Sequence, residues 1–256
     1  VNFMDPETGM LACGVSGEGR LPEVDAIYKQ IKTMLFPRTD LMGKRVLINA
    51  GTTCEDIDPV RFISNRGTGK MGYAIAEEAV FRGADVILVS GRTYLPAPQG
   101  VKVVSVWGAE EMCDTMLKYQ PACDIIIGAA AVGDFTVARA AEQKIKKTGE
   151  RDQTLVLELV GTPDILKNLG ARKQPGQILV GFAAETENLM ENARKKLSAK
   201  NLDFIVANDI TIEGAGFASD TNIVTFIDRD GESTALPKMS KRDVAAAIID
   251  KVVAML

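Results

Sequence analysis

Six short runs of mainly Val, Ile and Leu recur along the chain, at 46–49, 85–90, 101–106, 124–131, 177–182 and 203–207. They are too short for helices and lack polar alternation, the pattern of parallel strands covered on both faces. Helical periods lie between them at 73–82, 109–119, 164–171 and 186–200. This order predicts a doubly wound, mostly parallel, Rossmann-like α/β sheet with right-handed crossovers.

Other stretches depart from that rhythm. Residues 154–160 alternate apolar and polar side chains, and 222–227 and 233–236 flank Asp230-Gly231, a hairpin signal. They predict small antiparallel additions, as an edge subdomain or a contact between copies. The last period, 241–255, carries a stripe at Val244, Ala247, Ile248 and Val252 and should pack on the sheet. Residues 1–40 hold Gly-punctuated segments, one amphipathic helix at 23–35 and a polar linker after Pro37. That is too little to bury a core, so the chain divides into a tail or strap at 1–40 and a main domain at 41–256. The start at Val1 reads as a fragment or a processed product.

Composition narrows the chemistry. With 46% hydrophobic and 25% charged residues the chain is of ordinary globular type. A net charge of -4 gives no reason to expect nucleic acid. No apolar run reaches the ~20 residues of a membrane span, and the four cysteines lack C-x-x-C pairing, which suits reduced thiols in the cytoplasm. Histidine is absent, which excludes a Ser-His-Asp triad, histidine metal sites and imidazole acid–base catalysis. Carboxylates, Lys, Arg, amides, backbone or a bound metal must do the work.

The stretch from Asp58 to Gly72 carries most of the candidate chemistry. Gly67, Gly69 and Gly72 spell G-x-G-x-x-G ahead of a helix, where backbone amides can meet an anion. In a dinucleotide fold those glycines follow the first strand directly, and an acidic residue ends the second. Here a long loop separates them from Ala50, and the second strand ends Val89-Ser-Gly-Arg92. An NAD(P)-dependent reductase is therefore the weaker reading. Asp134, past the run at 124–131, sits where a carboxylate can accept ribose hydroxyls or simply cap a loop. Lys144-Ile-Lys-Lys147 reads as a solvated loop or as a lid over a polyphosphate. Lys196 and Lys200, four apart, share a helix face near one rim of the sheet or face solvent.

The joint pattern is more specific. Ile57-Asp-Pro-Val-Arg-Phe-Ile-Ser-Asn65, Gly69-Lys-Met-Gly72, Ala129-Ala-Ala-Val132 with Asp134, Lys144-Ile-Lys-Lys147, Gly181-Phe-Ala-Ala-Glu-Thr186 and Ala207-Asn-Asp209 occur in that order. Over 41–256 this resembles the phosphopantothenate–cysteine ligases of coenzyme A biosynthesis. Gly9-Met-Leu-Ala-Cys-Gly14 and Gly17-Glu-Gly-Arg20 resemble the end of the flavin-dependent phosphopantothenoylcysteine decarboxylase, fused ahead of the ligase in bacteria. Cys13 matches that enzyme's proton donor; the FMN-binding segments belong to a part not in this sequence, so no decarboxylase activity is expected.

The resemblance implies a two-step ligation. The carboxylate of 4′-phosphopantothenate attacks the α-phosphate of CTP, giving an acyl-cytidylate and pyrophosphate; the amine of L-cysteine then displaces CMP. Lys, Arg and Mg²⁺ can supply the charge neutralisation without imidazole. Carried over by motif, Gly128, Ala129 and Ala130 line the base-side wall, Asp134 takes the ribose, and Lys144 is the essential lysine. Pro163, Asp164, Ile165, Leu166, Phe182, Lys196 and Lys200 contact the nucleotide. Asn65 holds the acyl-cytidylate with Arg61 beside it, and the glycines serve phosphate. No residues for the metal follow. A cytoplasmic homodimer is implied. Here Thr52, Cys54 and Gly67-Thr68 depart from the family's usual residues. A nucleotide-sensing, non-catalytic domain of this fold is the non-enzyme alternative.

Overall fold

A computed structural model of the chain describes residues 3–35, 38–147, 154–185, 189–209 and 219–256. Its main sheet has eight strands: β1 (Arg45–Ala50), β2 (Asp85–Ser90), β3 (Val101–Ser105), β4 (Ile125–Gly128), β5 (Ile178–Glu185), β6 (Phe204–Asp209), β7 (Val224–Asp228) and β8 (Ser233–Ala235). The spatial order is β8-β7-β6-β5-β4-β1-β2-β3. Strands β1 to β6 are mutually parallel, and β7 and β8 add antiparallel at one edge. The six strands read from the sequence are all present.

Helices α1 (Lys70–Phe81), α2 (Ala109–Tyr119), α3 (Ile165–Ala171), α4 (Leu189–Ala199) and α5 (Lys241–Val253) cover both faces. Alternate residues along each strand feed opposite cores. Val46, Ile48, Ile127 and Phe204 pack with α1 and α5. Leu47, Val89, Ile126 and Ile205 pack with α2, α3 and α4. Both sets being apolar, the runs carry no polar alternation. Arg82 fixes α1 against α5 and the linker: it is fully buried and pairs with Glu78 (2.9 Å), Asp40 (3.2 Å) and Asp250 (2.5 Å). A buried guanidinium persists only when compensated in this way.

The structure differs from the sequence reading in several places. α1 begins at Lys70, so Gly72 lies inside its first turn rather than before it. β3 is a half-exposed edge strand and is not covered on both faces. The long loop after β1 contains a hairpin, Cys54–Asp58 paired with Arg61–Ser64. Its inward side chains include Glu55 and Asp58, so it shows no apolar alternation. Within 154–160 only the end is a strand: Leu159–Gly161 pairs with Phe135–Val137. The hairpin around Asp230-Gly231 belongs to the main sheet and is not a separate subdomain. Near the N-terminus, Glu7–Met10 and Ser16–Arg20 form a second unpredicted hairpin, followed by a helix, Val24–Leu35. The predicted start of the 186–200 helix lies outside the described residues.

Candidate active site

The strand order reverses between β1 and β4, and the crevice beyond their carboxyl ends is where open α/β sheets take ligands. One buried side chain shapes it. Asn49, 2% exposed, accepts hydrogen bonds at Oδ1 from the amides of Ala129 (2.8 Å) and Ala130 (3.0 Å). Ala131 N–H donates to the Gly51 carbonyl (2.9 Å), and Gly133 N–H to Thr53 Oγ1 (2.9 Å). The segment after β4 is thus clamped to the one after β1, and its amides at 129 and 130 are already engaged.

Two glycines are there for close approach. A Cβ on Gly72 would lie 2.5 Å from Ala50 Cβ, so glycine lets α1 start flush against the end of β1. A Cβ on Gly128 would lie 2.6 Å from Leu166 Cδ2, so glycine lets the first turn of α3 cover the end of β4. For Gly72, packing against Ala50 is reason enough for glycine, where the sequence reading invoked phosphate.

The crevice has two lobes, of about 270 and 230 Å³, together of small-ligand size. Ala130, Val132 and Phe182 line both. The first lobe also contains Asn65, Lys70, Ala129, Asn208, Asn222 and Lys241. The second contains Gly128, Asp134, Pro163, Asp164, Ile165, Leu166 and Lys200. Asn65 Nδ2 donates to the Val132 carbonyl at 2.8 Å, which orients its carboxamide across the lobe. Asp164 caps α3 by accepting from Lys167 N–H (3.0 Å) and pairs with Lys200 Nζ (3.0 Å). The carboxylate of Asp134 is exposed, and its carbonyl accepts from Thr162 N–H at 3.0 Å.

Arg61, Lys144 and Lys196 line neither lobe. Arg61 instead belongs to a clasp around Asp58, which is 2% exposed. That carboxylate accepts from the amides of Val60 (2.8 Å), Arg61 (2.9 Å) and Ile145 (3.1 Å) and from Arg61 Nη1 (3.0 Å). Arg61 Nη2 donates to the Ile145 carbonyl at 3.0 Å. Burial would raise the Asp58 pKa, but the amide donors and the Arg61 charge outweigh it and hold it below the usual carboxylate range. The clasp pins Ile145 to the hairpin, with exposed Lys144 and Lys146 on either side. Lys196 is half-buried on α4, and Lys200 follows that helix. Cys13 is exposed in the N-terminal hairpin's turn, far from β1 and β4 in sequence.

Sequence reasoning passed over Asn49, Asp58, Glu55 and Lys241. Glu55 Oε1 accepts from Ala109 N–H (3.0 Å), capping α2 where Gly108 has no side chain to do so. The usable signal was polarity in the wrong place: a lone Asn ending an apolar strand must find buried partners. Among the described residues no three His, Cys, Asp or Glu side chains gather to hold a metal ion, and no helix is long and apolar enough to cross a membrane.

The profile of the DFP family, the DNA/pantothenate metabolism flavoprotein C-terminal domain, matches residues 41–256. The chain belongs to this family. Among DFP relatives, the coenzyme A biosynthesis bifunctional protein CoaBC of Bacillus subtilis is 50% identical over 256 residues. The match covers 99% of this chain but 62% of that protein's length. The crystal structure of the C-terminal domain of a CoaBC protein is 44% identical with a TM-score of 0.72, covering 85% of this chain and 97% of that one. A cysteine/cysteine sulfinic acid decarboxylase from an unknown prokaryotic organism is 41% identical over 261 residues, 100% of this chain and 72% of that protein. The relatives' names differ in activity, so the site itself must carry the functional reading.

Proposed function

We infer that residues 41–256 form a CTP-dependent ligase that joins 4′-phosphopantothenate to L-cysteine through an acyl-cytidylate. The observation that carries this reading is the two-lobed crevice with one shared ridge. In the second lobe Asp134 can accept both ribose hydroxyls, and Lys200, steered by Asp164, offers an ammonium to phosphate. The first lobe takes the acid, with Asn65 presenting a carboxamide near the ridge. Activation then joins the two ligands at Ala130, Val132 and Phe182, where the acid's carboxylate meets the α-phosphate. Burying the reacting centre between lobes supplies orientation and strengthens the neutralising charges.

Lys144 lies outside both lobes, on a loop held by the Asp58 clasp, and serves as the lid lysine that closes over the triphosphate. Arg61 positions that loop. The Mg²⁺ expected with CTP would be held chiefly by the triphosphate, as this ion usually takes one or two protein carboxylates beside substrate phosphates. A homodimer fits the apolar arm around Phe135–Val137 and Leu159–Gly161, where Phe135, Val156, Leu159 and Val160 are exposed. Residues 1–40 are read as the remnant of a flavin-dependent decarboxylase domain, and the protein as cytoplasmic.

A nucleotide panel by thermal shift, followed by product analysis, tests the reading. CTP at 100 times its dissociation constant should add about 2.7 kcal/mol of stability, and the amide product should form only with CTP, the acid and L-cysteine together. Stabilisation by NADPH and not CTP would revive the reductase; nucleotide binding without product would favour a sensor.

A further inference from the structure

The hairpin Cys54–Asp58/Arg61–Ser64 is a two-stranded ribbon, and such a ribbon is marginally stable in water by itself. Its position therefore depends on its anchors. On one side it carries the lysine loop: the Ile57 carbonyl accepts from Ala141 N–H (2.9 Å), and Asp58 accepts from Ile145 N–H (3.1 Å). Just past its second strand, Asn65 donates to the Val132 carbonyl at the ridge. The other side is fastened by the segment joining β3 to α2. Trp107, the chain's single tryptophan, accepts at its carbonyl from Cys54 N–H (2.9 Å), and its indole Nε1–H donates to Asp56 Oδ1 (2.9 Å). Its ring meets Phe62 edge-on, with centroids 5.5 Å apart and planes at 76°. Trp107 N–H is itself held by Glu111 Oε2 at 2.7 Å.

Asp56 and Phe62 face each other across the hairpin, so this one side chain holds both strands. Trp107 is 43% exposed and Phe62 37%, too open for the pair to serve mainly as core. The register shifts between Asp56 and Asp58, and a bulge of this kind re-aims side chains. Asp56 is exposed and meets the indole, while Asp58 is buried and holds Ile145. One short strand thus links the tryptophan to the lysine loop. We propose that Trp107 is a positioning residue: by holding the hairpin through Asp56 and Phe62, it sets where Asn65 and the loop bearing Lys144 stand relative to the crevice. The effect on turnover rests on the ligase reading; the mechanical link from Trp107 to Ile145 rests on the geometry alone.

Three variants test this beside wild type. Trp107→Phe keeps a ring against Phe62 but loses the indole N–H, Asp56→Ala loses its acceptor, and Asp56→Asn keeps an oxygen that can accept. In Trp107→Phe and Asp56→Ala the protection factor of the Ile145 amide should fall about 10-fold at neutral pH, the size set by one hydrogen bond to a charged group. Protection in β1 should stay at its wild-type value. Turnover with CTP, the acid and L-cysteine should also fall about 10-fold, since small displacements of positioning groups cost up to about 10²-fold. The KM for CTP should change less, because no hairpin residue lines the second lobe. Asp56→Asn should behave as wild type, and the Trp107→Phe/Asp56→Ala pair should lose no more than either change alone. Wild-type Ile145 protection in both single variants would overturn the proposal, as would additive losses, or protection that falls equally in β1. So would full turnover in variants whose Ile145 protection has dropped. A wild-type chain that makes no product with CTP, while the variants still loosen Ile145, would sink the ligase reading and not the link.

Discussion

The inner wall of the crevice and the lysine-bearing loop outside it (the rim) are held in different ways. At the wall, Asn49 Oδ1 binds two amides, and glycines at 72 and 128 bring helices into contact with strand ends. Every partner there is backbone or core, so the wall is as rigid as the sheet. At the rim, Ile145 is tied to the Cys54–Asp58 hairpin chiefly through one carboxylate and one guanidinium, and Lys144 and Lys146 remain exposed. A fixed wall positions a ligand; a clasped loop can open for entry and close over charge. Substitutions at the wall should therefore cost stability, and those at the rim should cost turnover.

The largest effect is expected at the rim. Lys144→Gln should lower turnover about 10²- to 10³-fold, the size of loss seen when one charge-stabilising donor is removed, with an unchanged thermal midpoint. Near-normal turnover would reduce the lysine run to a solvated loop. At the wall, Asn49→Ala leaves the half-buried amide of Ala130 without its acceptor and that of Ala129 with only the longer bond to the Asn49 carbonyl (3.3 Å), and should cost about 1–3 kcal/mol in urea denaturation; a loss under about 0.5 kcal/mol would mean that Asn49 does not organise the segment. Gly128→Ala should cost about 1–3 kcal/mol by overpacking Leu166, and pairing it with Leu166→Ala should recover part of that loss. Additive losses would place the strain elsewhere.

The smallest effect separates the regions by pH. Asp58 has a folded-state pKa below its unfolded one, so its contribution is full above the ordinary carboxylate pKa and fades as pH falls through the depressed value. Protonation should then release Ile145 while the sheet stays intact. The protection factor of the Ile145 amide, its exchange rate set against the intrinsic rate at the same pH, should fall at acid pH, and Asp58→Asn should lower it already at neutral pH. Protection that falls together at Ile145 and in β1 would show that the clasp is not a local device.

This contrast also explains what was legible in the sequence. The parallel strands could be read because both their faces are apolar, as with Ile48 toward one core and Leu47 toward the other. The Cys54–Asp58 hairpin could not, because Glu55 and Asp58 point inward to cap α2 and clasp a loop. Of the residues named for the nucleotide from motifs, those around 128–134 and 163–166 fall at one crevice because they follow β4 and open α3. Arg61 and Lys144 do not reach it, since motif order carries no information about loop closure. Lys241 was hidden by its place in an amphipathic helix, where a first-turn lysine reads as solvated surface.

The central claim is that one chain brings a nucleotide and an acid together at Ala130, Val132 and Phe182. Mixing the protein with CTP and 4′-phosphopantothenate without cysteine, and following pyrophosphate in the first turnover, tests it most directly. A burst of about one pyrophosphate per site, with acyl-cytidylate retained on the protein, is the predicted result. Pyrophosphate from CTP alone, or none until cysteine is added, would contradict it.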